Sequence, residues 1–291
     1  PTQLDAFSSH IDAHLWPAGE DVAHQKLDTF VQQPIKHYQK QRDFPAIDGT
    51  SGLSAYLAIG VLSVRQCLYA AMMQNQGHLS GHDSHIECWI SELIWREFYT
   101  HILIHFPHVC RNQPFKARAR QIPWNNDPQL LDQWKHGRTG IPIIDAAMRQ
   151  LIQTGWMHNR LRMVTAMFLC KNCLIDWRLG EAHFMQHLID GDFASNNGGW
   201  QWAASTGTDA APYFRIMNPV SQSQKFDSQG DFIRRFCPEL TSLTTKQIHH
   251  PSQLAPAQLG TYPAASVDLK QSRAHAIEVF KRALSSTNQP P

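Results

Sequence analysis

Glu92, Trp95, Arg96 and Tyr99 follow one another at steps of three and four residues, which places them on one face of a helix, with Trp89 a turn earlier. An acid, a guanidinium and two flat rings on a non-core face can hold an aromatic base and its phosphate. The plainer alternative is a solvated face with an ordinary ion pair. Asn159 and Met163 are also one turn apart, an amide and a soft thioether, and Arg162 beside them can pair with a carboxylate such as Asp190. A core Met with a surface Asn would give the same pattern. The run RDFPAIDGTSGLS, Arg42 to Ser54, brings Thr50, Ser51 and Ser54 to the start of an apolar helical run around Gly52 and Leu53. Hydroxyls and free amides at a helix start can hold an anion, and Thr50 or Ser51 can equally be a simple N-cap. After Asp190 comes GDFASNNGGWQWAASTGTDAAPYFRIMNP, which is small, polar and glycine-rich and breaks the helical pattern. It reads as a loop, but one with Trp200 and Trp202 and with side chains small enough to let a backbone approach a flat ligand.

Cys170 and Cys173 followed by His183 and His187 imitate a zinc finger's ligands. The gap between the pairs is short for a finger, and both cysteines fall inside a helical pattern rather than a knuckle. Packed thiols and helix-face histidines explain the four better, so no metal is assigned.

Helical periodicity dominates the chain, and strand alternation is nearly absent. Ile141, Ile144, Met148, Leu151 and Ile152 follow helical spacing behind Pro142, and Thr154-Gly155 ends that helix. A second helix is expected from about Met157 to Ile175, with Leu161, Val164, Phe168 and Ile175 inward. Ile90, Ile94, Phe98 and Ile102 form another stripe at steps of four. The fold class is all-α.

Hydrophobic residues at 42% of the 291, with 10% aromatic, are enough for a sizeable core and exclude disorder for the bulk of the chain. The longest weakly polar run, Leu53 to Val64, falls short of the roughly 20 residues a membrane span needs. The formal charge is only +2, yet between Glu92 and Arg162 ten Lys/Arg stand against five acids. That +5 segment favours a polyanionic partner. Six irregularly spaced cysteines in a chain of this size read as reduced and intracellular. The chain opens Pro1-Thr2-Gln3 without Met, which reads as a fragment lacking an N-terminal domain.

From about Tyr38 to Leu240 the sequence resembles the FAD-binding helical domain of the DNA photolyase/cryptochrome family, in the form found in bacterial class I cyclobutane pyrimidine dimer photolyases. The resemblance is carried by RDFPAIDGTSGLS, ELIWREFY, GWMHNRLRM and DGDFASNNGGWQWAASTGTDAAPYFRIMNP. It implies a multi-helix domain around a central pocket for U-shaped FAD. Residues 1–37 would be a connector, 38–281 the catalytic domain and 282–291 a frayed tail, with the N-terminal α/β antenna domain absent. Tyr38 and Thr50, Ser51, Gly52, Leu53 and Ser54 would line the phosphates and ribityl chain. Trp89, Arg96, Arg162, Asp190, Gly191 and Asp192 would surround the adenine, ribose and flavin edges, and Asn196 would face flavin N5.

By the same resemblance, the partner is UV-damaged DNA. The lesion would flip into a pocket over the adenine. There Trp95 and Trp202 would stack on it, Glu92 and Asn159 would hydrogen-bond its edges, and Met163 would complete the wall. The segment Glu92, Leu93, Ile94, Trp95, Arg96, Glu97, Phe98 and Tyr99, with Asn159, would touch the DNA. Reduced FAD (FADH−), excited by light, would lend the dimer one electron and recover it after the ring-joining bonds open. Trp124, Trp177 and Trp200 would re-reduce oxidised flavin, with Trp200 nearest to it. An antenna pterin or deazaflavin is expected only in a full-length protein. The resemblance further implies a monomer acting in the bacterial cytoplasm, at the nucleoid when DNA is bound. Two relatives within the family are alternatives. A cryptochrome photoreceptor is disfavoured by Asn196, Trp95 and Trp202. A six-four photolyase would carry histidines at Asn159 and Met163. Outside the family, the alternative is a basic helical DNA-binding domain without catalysis.

Overall fold

The computed structural model describes residues 11–209 and 214–285, and every regular element among them is helical. Helix α1 (Glu20–Gln32) turns Ala23, Leu27, Phe30 and Val31 inward at helical spacing. A 3₁₀ turn, Pro34–His37, leads into the single turn α2 (Tyr38–Gln41) and the RDFP segment. The short α3 (Ser54–Ala58) and α4 (Val64–Gln74) follow, α4 opened by a reciprocal Ser63–Gln66 capping box. These elements close on the first half of α5 (Ser84–His105), whose first amides are capped by Asp83.

Only that first half of α5 is core. Ile86, Trp89, Ile90 and Leu93 are buried, but Ile94 is 63% exposed and Phe98 36%. The expected stripe through Ile90, Ile94, Phe98 and Ile102 therefore reaches the core at Ile90 alone among its buried members. Steps of four overshoot a helical turn, and three of them carry a side chain about 120° around the axis. The stripe winds off the buried face.

The larger core is gathered by α6 (Pro128–Lys135), α7 (Pro142–Thr154), α8 (Asn159–Met167), α9 (Trp177–His187) and α10 (Phe193–Ala203). On α7, Ile144, Met148 and Leu151 are fully buried while Ile152 is 39% exposed, and Gly155 ends the helix at φ +68°. The helix expected from Met157 to Ile175 is divided. His158 caps α8, and from Phe168 to Asn172 the backbone widens into a π turn. Leu161, Val164, Phe168 and Ile175 are buried as expected. Cys170 lies in that turn and Cys173 ends it, both buried. Helices α11 (Pro219–Phe226) and α12 (Asp231–Phe236) lean on α7, and the short α13 (Thr245–Ile248) and α14 (Pro256–Leu259) lead to α15 (Leu269–Ser285). Helix α15 runs past Arg282, where the tail was expected to start; residues 286–291 lie outside the described residues.

The stretch after Asp190, expected as a loop, opens with a helix, α10 from Phe193 to Ala203. Asp192 accepts from the Ser195 amide at 2.8 Å and starts α10, so Asn196, Trp200 and Trp202 stand on a rigid element. Gly and Asn are poor helix formers, and here tertiary packing overrides their propensity. No helix is long and apolar enough to cross a membrane among the described residues.

Two buried imidazoles make stability depend on pH. Burial holds His158 down at about 4 and His183 down at about 3, the latter with help from its neighbour His187. As pH falls below the ordinary imidazole value, the unfolded chain takes up two protons that the folded chain refuses. The stability these two groups contribute is therefore complete above that value and is lost on acidification toward pH 4, at up to about 2.7 kcal/mol per pH unit, while the buried carboxyls of Asp145, Glu181 and Asp227, raised by burial, act in the opposite sense. In urea titrations between pH 7 and 4.5, H183Q should lose stability on acidification less steeply than the unaltered protein, by up to about 1.4 kcal/mol per pH unit.

Candidate functional site

The RDFP segment presents two adjacent residues of opposite charge to two different helices. Arg42 donates to Glu92 on α5 at 2.5 Å, and Asp43 accepts from Arg160 on α8 at 2.8 Å. Two further pairs complete a closed circuit. Arg162 on α8 meets Asp190 at 2.7 Å, just before α10, and Arg96 on α5 meets Asp192, the N-cap of α10, at 3.1 Å. Segment, α5, α10 and α8 are thus joined in a ring by four ion pairs. Each partner is at most one-third exposed, and the Asp190 side chain is 2% exposed. Arg162 also donates to the Met157 carbonyl at 2.7 Å, which fixes its guanidinium from a second side.

This ring brings Glu92, Arg96, Asn159, Arg162, Asp190, Gly191 and Asp192 from three separate stretches into one neighbourhood. The pairing of Arg162 with Asp190 is as expected from the sequence. Arg42, Asp43 and Arg160 had no role assigned from the sequence; the signal available was the unlike charges of Arg42 and Asp43 side by side. Asn159, the first residue of α8, is exposed, and Met163 one turn on is half-buried.

Helices α5 and α10 meet where Tyr99 fills the space left by Gly198; a Cβ there would sit within the Tyr99 ring. Trp95, 53% exposed, packs on Phe98 and Tyr99 with ring centroids 5.3 and 6.2 Å apart. Trp202 is half-buried one turn after Gly198 and shares no ring contact with Trp95. Ile94, Glu97 and Phe98 extend the exposed surface beside Trp95. Leu93 does not: it is 5% exposed in the core shared with Trp89 and Phe30, so it offers no surface to a duplex. Its position on α5 turns it away from the face that Trp95 occupies.

Tyr38 and Trp89 are buried against Phe30, and the Arg42 guanidinium lies 5.3 Å from the Tyr38 ring. Thr50, Ser51 and Gly52 precede α3 without capping it. Its N-cap is Leu53, which makes no side-chain hydrogen bond, and Ser51 Oγ accepts only the Leu53 amide at 3.4 Å. Gly52 has φ +63° and open space where a Cβ would stand. The simple N-cap alternative for Thr50 or Ser51 thus does not hold, and the first amides of α3 carry no side-chain cap.

Asn196 Nδ2 donates to the Glu181 carbonyl at 3.0 Å, which orients the amide and leaves its oxygen as the presented end. The Glu181 carboxyl itself is buried and burial raises its pKa, with the Asn196 amide opposing that rise. Asp190 Oδ1, Glu181 Oε1, Trp200 Nε1 and His158 Nε2 are buried without partners among the described residues. Polar atoms are rarely left so, and all four belong to the α9–α10 hairpin or the start of α8. A heterocycle bearing donors and acceptors fits that set.

Trp200 and Trp177 are buried and Trp124 is half-buried, a gradient from core toward surface. Trp200 lies against Gly180, one turn beyond Trp177 on α9, where a Cβ would overlap its ring. The Asn125 amide bonds the Leu174 carbonyl at 2.5 Å and holds the Trp124 segment to the chain leading into α9. Sequence reasoning passed over Trp134, which is fully buried and in edge contact with Trp200 at 5.9 Å.

Removing one member of the ring should be costly. D190A leaves Arg162 without its carboxylate in a half-buried place and should cost about 3 kcal/mol in chemical denaturation. G198A forces Tyr99 out of its notch and should cost about 1–3 kcal/mol by overpacking, while G199A, with open space at the Cβ, should be nearly neutral.

Residues 89–282 match the family described as the FAD binding domain of DNA photolyase. The chain is 49% identical over 286 residues to deoxyribodipyrimidine photo-lyase of Salmonella typhimurium, covering 97% of this chain and 60% of that protein. It is 50% identical over 275 residues to the enzyme of the same name from Escherichia coli, covering 94% and 58%. Among solved structures it is similar to a class III photolyase from Agrobacterium tumefaciens, with TM-score 0.87 and 40% identity over 94% of this chain and 58% of that one. A Synechocystis cryptochrome matches with TM-score 0.82 and 33% identity over 90% and 56%. The chain spans about three-fifths of the length of the curated relatives it matches. With helices α6 to α14, the Arg96–Asp192 and Arg162–Asp190 pairs and the orphaned polar atoms inside the matched span, the chain belongs to the DNA photolyase family through its FAD-binding domain.

Proposed function

We propose that this chain is the catalytic part of a light-dependent repair enzyme for cyclobutane pyrimidine dimers in UV-damaged DNA, with FAD as its cofactor. The observation that carries this reading is the ion-pair ring, which assembles Glu92, Asn159, Arg162, Asp190 and Asp192 from separate stretches around one place. Residues 38–281 make the catalytic unit. An antenna pterin or deazaflavin belongs to the part of the relatives' length that this chain does not span.

When bound and reduced, FAD supplies an electron to the lesion on illumination. The protein does the rest by position and electrostatics. Trp89, Arg96, Arg162, Asp190, Gly191 and Asp192 would surround the cofactor's adenine, ribose and isoalloxazine edges. Tyr38 and Thr50 to Ser54 take the phosphates and ribityl chain, where uncapped amides of α3 can donate. The Asn196 amide, tied back to the Glu181 carbonyl, offers its oxygen to flavin N5 as an acceptor that is no strong acid. Trp95 and Trp202 stack on the flipped-out pyrimidines, and Glu92, held by Arg42, and Asn159 read their edges. Trp200, Trp177 and Trp124 form the route for re-reduction. The protein works as a monomer in the bacterial cytoplasm.

The test reconstitutes the chain with FAD, reduces it anaerobically and adds oligothymidylate carrying dimers. Thymine ultraviolet absorbance should recover under blue light and stay flat in the dark. Bound reduced flavin and bound lesion without recovery would indicate a photoreceptor instead. W95A should weaken binding of the lesion roughly tenfold, the equivalent of one lost stacking contact. W177F should lose light-driven reduction of oxidised flavin, read as the absence of bleaching of its visible bands under a mild reductant.

A further inference from the structure

Trp202 is the penultimate residue of α10, and the chain around it is organised by a buried lysine. Lys171 lies in the π turn and is fully buried. Its Nζ donates to Ser205 Oγ at 2.8 Å and to the Arg215 carbonyl, and stands 4.5 Å from the Phe214 ring. A buried amine needs such partners, so the turn holds the residues just after α10 and the 214–215 segment in one fixed relation. From that segment the Arg215 guanidinium reaches over the Trp202 ring, with Cζ 5.4 Å from the centroid. Asp209, at 3.5 Å, steers the same guanidinium from the chain following α10.

We propose that Arg215 is a positioning residue for Trp202: its guanidinium covers one face of the indole and sets the plane that the other face offers to a flipped-out pyrimidine. This rests on the repair function proposed above. An indole at the end of a helix and only half-buried can turn about its side-chain bonds, and a cation held over one face restricts that turning. The same cation polarises the ring toward an electron-rich base on the opposite side. Lys171 acts one step further back, by fixing the backbone from which Arg215 extends.

A phosphate-binding role for Arg215 predicts something different, and a double-mutant cycle separates the two. The chain loaded with FAD is titrated with a duplex carrying one thymine dimer and with the same duplex undamaged, as wild type, R215A, R215K, W202A and R215A/W202A. Acting through Trp202, R215A lowers the preference for the damaged duplex roughly three- to fivefold and leaves affinity for the undamaged duplex unchanged. R215K recovers most of the preference, and R215A has no further effect once Trp202 is gone. Equal losses on both duplexes, repeated in the W202A background, overturn the proposal in favour of a phosphate contact. Should R215A fail to retain flavin, R215Q replaces it in the cycle with the same two outcomes. A wild type with no preference for the damaged duplex sinks the repair reading itself, and this inference with it.

Discussion

Four ion pairs that close on themselves are the constraint on which the rest of this site depends. Each joins a different pair of elements: the RDFP segment to α5, α5 to α10, the approach to α10 to α8, and α8 back to the RDFP segment. Shifting any one element therefore breaks two pairs at once. Isolated surface pairs contribute little, but these are partly desolvated and linked, and losing one partner strands a charge that water reaches poorly. Hydrophobic packing is not directional, and it could accommodate several rotations of α8 against α5. Charge pairs with fixed partners select one.

Within that frame the close approaches are made by absent side chains. Gly198 receives Tyr99 and Gly180 receives Trp200, so the helices carrying Trp95, Trp177 and Trp202 come nearer than any larger residue would allow. The cost is a glycine-rich helix with weak propensity of its own. Its start is secured by Asp192, which also belongs to the ring, so the residue that begins α10 is the residue that ties it to α5. Local and tertiary structure are coupled through one carboxylate. The buried imidazoles of His158 and His183 fit the same picture of a dry interior, neutral where water cannot reach them.

Much of this was legible in the sequence. Steps of three and four gave an all-α chain, and Pro142 and Gly155 marked the ends of α7 by backbone chemistry alone. The pairing of Arg162 with Asp190 was foreseen from charge. The family resemblance pointed to Trp95, Asn159, Asn196 and Trp202 through long motifs. Elsewhere local reading went astray. Gly and Asn in succession suggested a loop where α10 stands, and a stripe at steps of four on α5 suggested a core face where Ile94 and Phe98 meet solvent.

Residue types and their spacing are properties of the chain, so helix content, helix ends and the chemistry available at each position were determined by the sequence on its own. Which charge meets which is a property of distance in space. Arg42 and Glu92 are 50 positions apart, and Asp43 and Arg160 lie farther still. Nothing local selects those partners over the other acids and bases of a chain carrying 24 and 26 of them. Those partners fall within hydrogen-bond reach only in the packed fold, because the free energy that sets helix against helix comes from burial summed over the whole chain. For the same reason the notch at Gly198, the buried lysine behind Trp202 and the burial of Leu93 were decided by tertiary structure.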